Sequence, residues 1–143
     1  MARIASIVSI ICLFVSTLAS VTDCSKGMAL FKLSSMSFSP DPTVAGENST
    51  LLLSMTVPEE IASGTATYST TLNFISFAPT VESLCDLTVP CPIRVGTLDT
   101  ISSYPIDGTL SGSLTIKIEW KDTDKLLLCV QIKTKLGREL KQY

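Results

Sequence analysis

The sequence predicts an all-β domain, an immunoglobulin-like β-sandwich of two antiparallel sheets, and three observations carry that reading. Apolar residues recur with period two along several segments, the spacing of half-buried strands. Proline, glycine and acidic turn residues interrupt the chain at short intervals. Helical periodicity is almost missing. Six or seven such strands, each with one apolar face, are best buried as two sheets packed face to face.

Phe31 to Phe38 is Ser-rich and partly alternating, and it stops at Pro40-Asp41-Pro42, where two prolines end strand pairing. After Gly46, the run Leu51 to Val57 places Leu51, Leu53, Met55 and Val57 on one face. Pro58-Glu59-Glu60 and Ser63-Gly64 break the chain again. From Thr65 to Phe77, Ala66, Tyr68, Leu72 and Phe74 face one way; Thr67, Ser69, Thr71 and Asn73 face the other. Residues 79–112 are the least regular stretch, too long to be structureless in so small a domain, and one or two short strands are expected near Val95–Ser102. The closing hairpin is the clearest element. Leu114, Ile116, Ile118 and Trp120 alternate with Thr115, Lys117, Glu119 and Lys121. Asp122 to Lys125 turns the chain, and the return strand puts Leu126, Leu128, Val130 and Ile132 on one face, with Cys129, Gln131 and Lys133 on the other.

The first twenty residues are read separately. Arg3 precedes an apolar run from Ile4 to Leu18, and the small residues Ala19 and Ser20 come next. That order is expected of a secretory signal peptide over 1–20, leaving a single domain over 21–143. A membrane anchor needs about 20 apolar residues and flanking charge. No second stretch approaches that length, and Leu136 to Tyr143 is too polar for a lipid-anchor signal. The formal net charge is −2, and losing Arg3 makes the remainder more acidic. No basic run offers a footprint for nucleic acid. The mean hydropathy of +0.41 belongs partly to the leader, yet the rest is still rich in Leu, Ile, Val and Phe, so a substantial apolar interior is expected.

Five cysteines are present and Cys12 lies in the leader. The four that remain suit an oxidising compartment and allow three pairings. Cys85 and Cys91 enclose a short loop, the least costly closure, which leaves Cys24 to join Cys129 across most of the domain. The pairing hallmark of true immunoglobulin domains, a disulfide through the core beside a tryptophan, is absent. Cys129 sits on the face opposite Leu128 and Val130, so its bond should clamp the outside or an edge.

Catalysis is argued down by composition. The chain has no histidine, which removes the usual triads, imidazole acid–base chemistry and most metal sites. Glu59-Glu60 and Asp122-x-Asp124 are expected to be solvated turn residues, and the latter lacks the glycine and closing glutamate of a calcium loop. No enzyme activity, cofactor or metal is expected. Asn48-Ser49-Thr50 is a glycosylation sequon at the start of a strand.

The order of marks along the chain resembles the ML family, the MD-2-related lipid-recognition domains. The marks are Asp23-Cys24, Ser39-Pro40-Asp41-Pro42, Gly46 before an alternating strand, Leu84-Cys85-Asp86, Cys91-Pro92-Ile93-x-x-Gly96, Tyr104-Pro105, Glu119-Trp120-x-Asp122 and Leu128-Cys129. The resemblance implies the same two disulfides, Cys24–Cys129 and Cys85–Cys91. It also implies a lipid cavity between the sheets, lined by Leu51, Leu53, Met55, Tyr68, Leu72, Phe74, Leu114, Ile116, Ile118, Trp120, Leu128 and Val130, with a mouth near Phe77, Pro79 and Ile106. The sterol carriers of the family, the Niemann–Pick C2-like members, have a further cysteine loop after the first strand. Pro40-Asp41-Pro42 lacks it, which looks closer to the phosphatidylglycerol/phosphatidylinositol transfer branch. The resemblance further implies a secreted or endolysosomal monomer that carries one phospholipid or sterol and touches membranes transiently. Delivery would be to those membranes or to a receptor or transporter. The alternative is an extracellular protein-interaction or immune accessory domain with a filled core. Binding of bacterial glycolipid in an immune role calls for cations at the mouth, and 77–112 offers only Arg94.

Overall fold

The computed structural model describes residues 19–87 and 89–137, with the side chain of Leu87 left aside. The leader's apolar run and the C-terminal residues 138–143 lie outside the described residues. The elements are β1 (Ser20–Asp23), β2 (Lys32–Ser39), β3 (Asn48–Val57), β4 (Thr65–Leu72), β5 (Ile75–Ser76), β6 (Thr80–Ser83), the single-turn helix α1 (Leu84–Leu87), β7 (Gly96–Pro105), β8 (Gly112–Asp122) and β9 (Lys125–Leu136). One sheet runs β1-β9-β8-β4, with β5 and β6 in succession along the outer side of β4; the other is β2-β3-β7. Every pairing between these strands is antiparallel. The chain is the two-sheet β-sandwich its periodicity predicts.

The alternating strands bury the faces expected of them. Leu51, Leu53, Met55 and Val57 of β3 face Leu114, Ile116, Ile118 and Trp120 of β8 across the core, and all are buried. Spacing alone would turn Leu33 of β2 away from Met36 and Phe38. A bulge between Leu33 and Ser35 absorbs the odd residue, so all three sit opposite inward residues of β3. A second bulge falls after Trp120, which pairs with Leu128 while Lys121 pairs with Leu126. It leaves Leu127 fully buried beside Leu128, with Leu126 only half-buried, a correction to the simple alternation expected of this strand.

The largest departures lie around the β4–β5 turn and the stretch 79–112. β4 does not continue to Phe77. It ends at Leu72, and Asn73-Phe74 forms a two-residue hairpin loop with both residues at positive φ, 48° and 68°. That is the primed turn geometry that matches strand twist, and it throws Phe74 out to 99% exposure. Phe74 therefore does not share the inward face of Tyr68 and Leu72. The irregular stretch yields the short β6 and α1 and then the ten-residue β7, longer than the short strands expected near Val95–Ser102.

Two disulfides are present. Cys24–Cys129 ties β1 to β9 within one sheet, on the side away from the core, and Cys24 N–H also donates to the Cys129 carbonyl at 3.1 Å. Cys85–Cys91 joins α1 to the segment before β7. Neither bond crosses from one sheet to the other. β1 also lies against β2, which closes the sandwich along that edge. At the opposite edge, where β7 faces β4 and β6, the chain crosses from one sheet to the other between β6 and β7, and Cys85–Cys91 shortens that connection.

Candidate functional site

A cavity of about 470 Å³ opens at this edge. Its deeper wall is apolar: Ile106, Leu110, Leu114 and Ile116. Its outer wall is polar, with Tyr68 and Thr70 from β4, Thr80 and Glu82 from β6, and Ser102 and Tyr104 from β7. Register explains why these side chains converge. Tyr68 and Thr70 lie opposite Ile118 and Ile116 of β8, so they point inward with them. Thr80 and Glu82 lie opposite Tyr68 and Ala66, and share that inward direction. On β7, Ser102 and Tyr104 lie opposite the buried Leu51 and Ser49. The rings of Tyr68 and Tyr104 meet edge to face across the gap, 6.3 Å between centroids, and bridge the two sheets at the mouth.

Burial raises the Tyr68 phenol to about 12, and the neighbouring Tyr104 and Glu82 push it the same way. Tyr104 is raised as well, first by burial; a hydrogen bond with Ser102 opposes the shift and the Glu82 charge adds to it. Both phenols are therefore protonated throughout the neutral range, each able to donate and to accept. A group with a raised folded pKa contributes stability that is complete below its unfolded value and lost as pH passes the folded one. The Tyr68 contribution is thus present below about pH 10 and lost toward about pH 12. A urea-unfolding midpoint that falls across that window, together with late tyrosinate absorbance, is the expected result; Tyr68→Phe should remove part of the fall.

Not every residue expected at the site is there. Tyr68, Ile106, Leu114 and Ile116 line the cavity. Leu51, Leu53, Met55, Ile118, Trp120, Leu128 and Val130 are instead packed together in the core, none more than 4% exposed. Trp120 meets Phe31 edge to face, 6.5 Å between centroids, well inside that packing. Leu72 packs against the cluster from β4. Phe77 stands half in solvent on the β5–β6 edge, beside exposed Ile75 and Val81, with Pro79 also exposed between β5 and β6. Sequence reasoning missed Thr70, Thr80, Glu82, Ser102 and Tyr104. On β7 the apolar Ile101 faces outward at 68% exposure while Thr100 and Ser102 face inward, so the usual apolar-in pattern is inverted there. The one available signal was the pair of tyrosines in a chain with three.

Of the carboxylates expected to be solvated turn residues, Asp124 lies in the β8–β9 turn, while Asp122 is the last residue of β8 and half-buried. Glu59 and Glu60 are exposed beyond β3, and Glu59 pairs with Lys125. Among the described residues no cluster of acidic or cysteine side chains could hold a metal. No helix among them is long and apolar enough to cross a membrane. Asn48 is exposed at the first position of β3.

A two-sheet β-sandwich with a polar-mouthed apolar cavity at one edge defines the class. Residues 19–136 match the profile of the ML domain, and the chain belongs to that family. Among solved structures it is similar to a Niemann–Pick type C2 protein from Japanese carpenter ant, at 19% identity and a TM-score of 0.64, covering 82% of this chain and 99% of that one. It is also similar to chicken MD-1, solved in complex with lipid IVa, at 16% identity and a TM-score of 0.59, covering 82% and 88% respectively. A search of curated proteins finds no match to the chain.

Proposed function

We propose that this chain is a non-enzymatic lipid carrier that holds one lipid at the open edge of its sandwich, its tail in the cavity and its head at the tyrosine-lined mouth. The observation that carries the reading is the cavity itself. Its volume of about 470 Å³ falls in the range of small-molecule sites, about 300–1,000 Å³, and it combines an apolar floor with a few convergent polar groups, as such sites do. Each methylene moved from water to that floor contributes about 0.8 kcal/mol, so a tail alone can drive binding. Family membership supports the same reading, and the related MD-1 structure holds a lipid.

Further features extend the proposal. The disulfides and the apolar leader support passage through the secretory pathway, with cleavage near Ser20, to the cell exterior or an endolysosomal lumen. Asn48, exposed at a strand end, is accessible to glycosylation there. Phe74, Ile75 and Phe77 are exposed apolar residues at the β4–β5 turn, in β5 and directly after it. Exposed residues of this kind suit transient contact with a membrane during uptake and delivery. The carrier acts as a monomer in this reading.

Mass spectrometry of an organic extract of the purified protein tests the proposal. A stoichiometric lipid is expected. A clean extract, with failure to bind fluorescent lipids, would instead favour an interaction domain with a filled core.

A further inference from the structure

Among the described residues, the cavity wall carries one charged side chain, Glu82, and no lysine or arginine. Glu82 lies opposite Ala66 on the inward face of the β4–β6 pair, so its carboxylate stands at the mouth, next to Thr80 and Tyr68. The ion pairs of the described residues engage Glu119 and Glu59, not Glu82. The nearest cationic strand positions, Lys121 and Lys117, lie opposite Thr65 and Ser69 on the outer face, and both pair with Glu119. The mouth is thus acidic, with two phenol oxygens beside the acid.

We propose that this mouth selects by head-group charge: a single-tailed lipid with a cationic amine head is taken in preference to one with the same tail and an anionic head. The inference rests on the lipid-holding reading above. An ammonium group presents three donors, and Glu82 with the Tyr68 and Tyr104 oxygens supplies acceptors for them. A carboxylate or phosphate head placed at the same point meets the like charge of Glu82, which disfavours it. Burial first, with the Glu82 charge adding to it, raises the pKa of both tyrosines.

The test is displacement of the neutral fluorophore N-phenyl-1-naphthylamine by dodecylamine, dodecanol and dodecanoate. Dodecylamine should bind about tenfold more tightly than dodecanoate, the equivalent of about 1.4 kcal/mol, in the range of a hydrogen bond to a charged group. Glu82→Gln should bring that ratio close to one, and Glu82→Lys should reverse it. Glu82 is exposed at a strand edge, and a thermal melt of each variant verifies folding. Equal displacement by all three compounds, or a ratio unmoved by either substitution, would overturn the charge selection and leave the carrier reading intact. Displacement by none of them would overturn both.

Discussion

Ile116→Trp is expected to abolish lipid uptake while leaving the protein folded. Ile116 lies on the central strand β8, opposite Thr70 and Ile132, and its side chain forms part of the cavity floor. An indole there has empty space to enter and occupies the volume a tail would use. Denying burial to about four methylenes removes about 3 kcal/mol, roughly a hundredfold in affinity. Fluorescent-lipid titration should show that loss with the thermal melt nearly unchanged; unaltered affinity would place the tail elsewhere. Leu53→Trp is the instructive contrast. Sequence periodicity puts Leu53 in the same apolar set, and it is buried in the same cluster, but it does not line the cavity. Overpacking there should cost about 1–3 kcal/mol in stability and disturb the fold before it reports on ligand.

The other large effect concerns covalent ties. Cys24→Ala with Cys129→Ala is expected to cost about 4–5 kcal/mol, the chain-entropy value for a loop of about 100 residues; the two cysteines are 105 residues apart. In a domain of this size that lowers Tm by about 15 °C, measured by calorimetry under oxidising conditions. The bond lost in Cys85→Ala with Cys91→Ala closes a separation of only 6 residues, and its removal should cost about 2 kcal/mol in the same model. A larger effect from the short loop would show that it braces the end of the sandwich instead of merely restricting the unfolded chain.

The β7 edge links these results to the proposed function. The sheets are held together at β1–β2 and by packing beneath β3 and β8, and neither disulfide runs from β7 to β4 or β6 directly. The contact between Tyr68 and Tyr104 spans the opening at the surface. In the proposed function a tail enters at this edge while the far side of the domain stays packed.

Much of this was legible in the residues. Strict alternation in Leu51–Val57 and Leu114–Trp120 specified strands and their buried faces, because a half-buried strand has no other way to separate its apolar side chains from water. The Cys85–Cys91 spacing specified a local loop and so the long partner bond. The cavity was not legible in the same way. The apolar set contains both packed core and cavity floor, and periodicity is identical for the two. Only the separation of β7 from β4 decides that Ile116 meets open space while Leu53 meets neighbours.

Polar residues make the same distinction more sharply. Glu82, Thr80 and Ser102 carry no site signal in the chain, and Phe74 reads as part of an apolar strand face. The Asn73-Phe74 turn expels the phenylalanine, and pairing with Ala66 turns the glutamate to the cavity side. The sequence by itself determined an all-β sandwich, its main buried faces and its disulfide frame, since these depend on local alternation and loop closure. Tertiary structure alone decided where the sandwich opens and that its mouth is acidic, since both depend on which strands become neighbours across a gap.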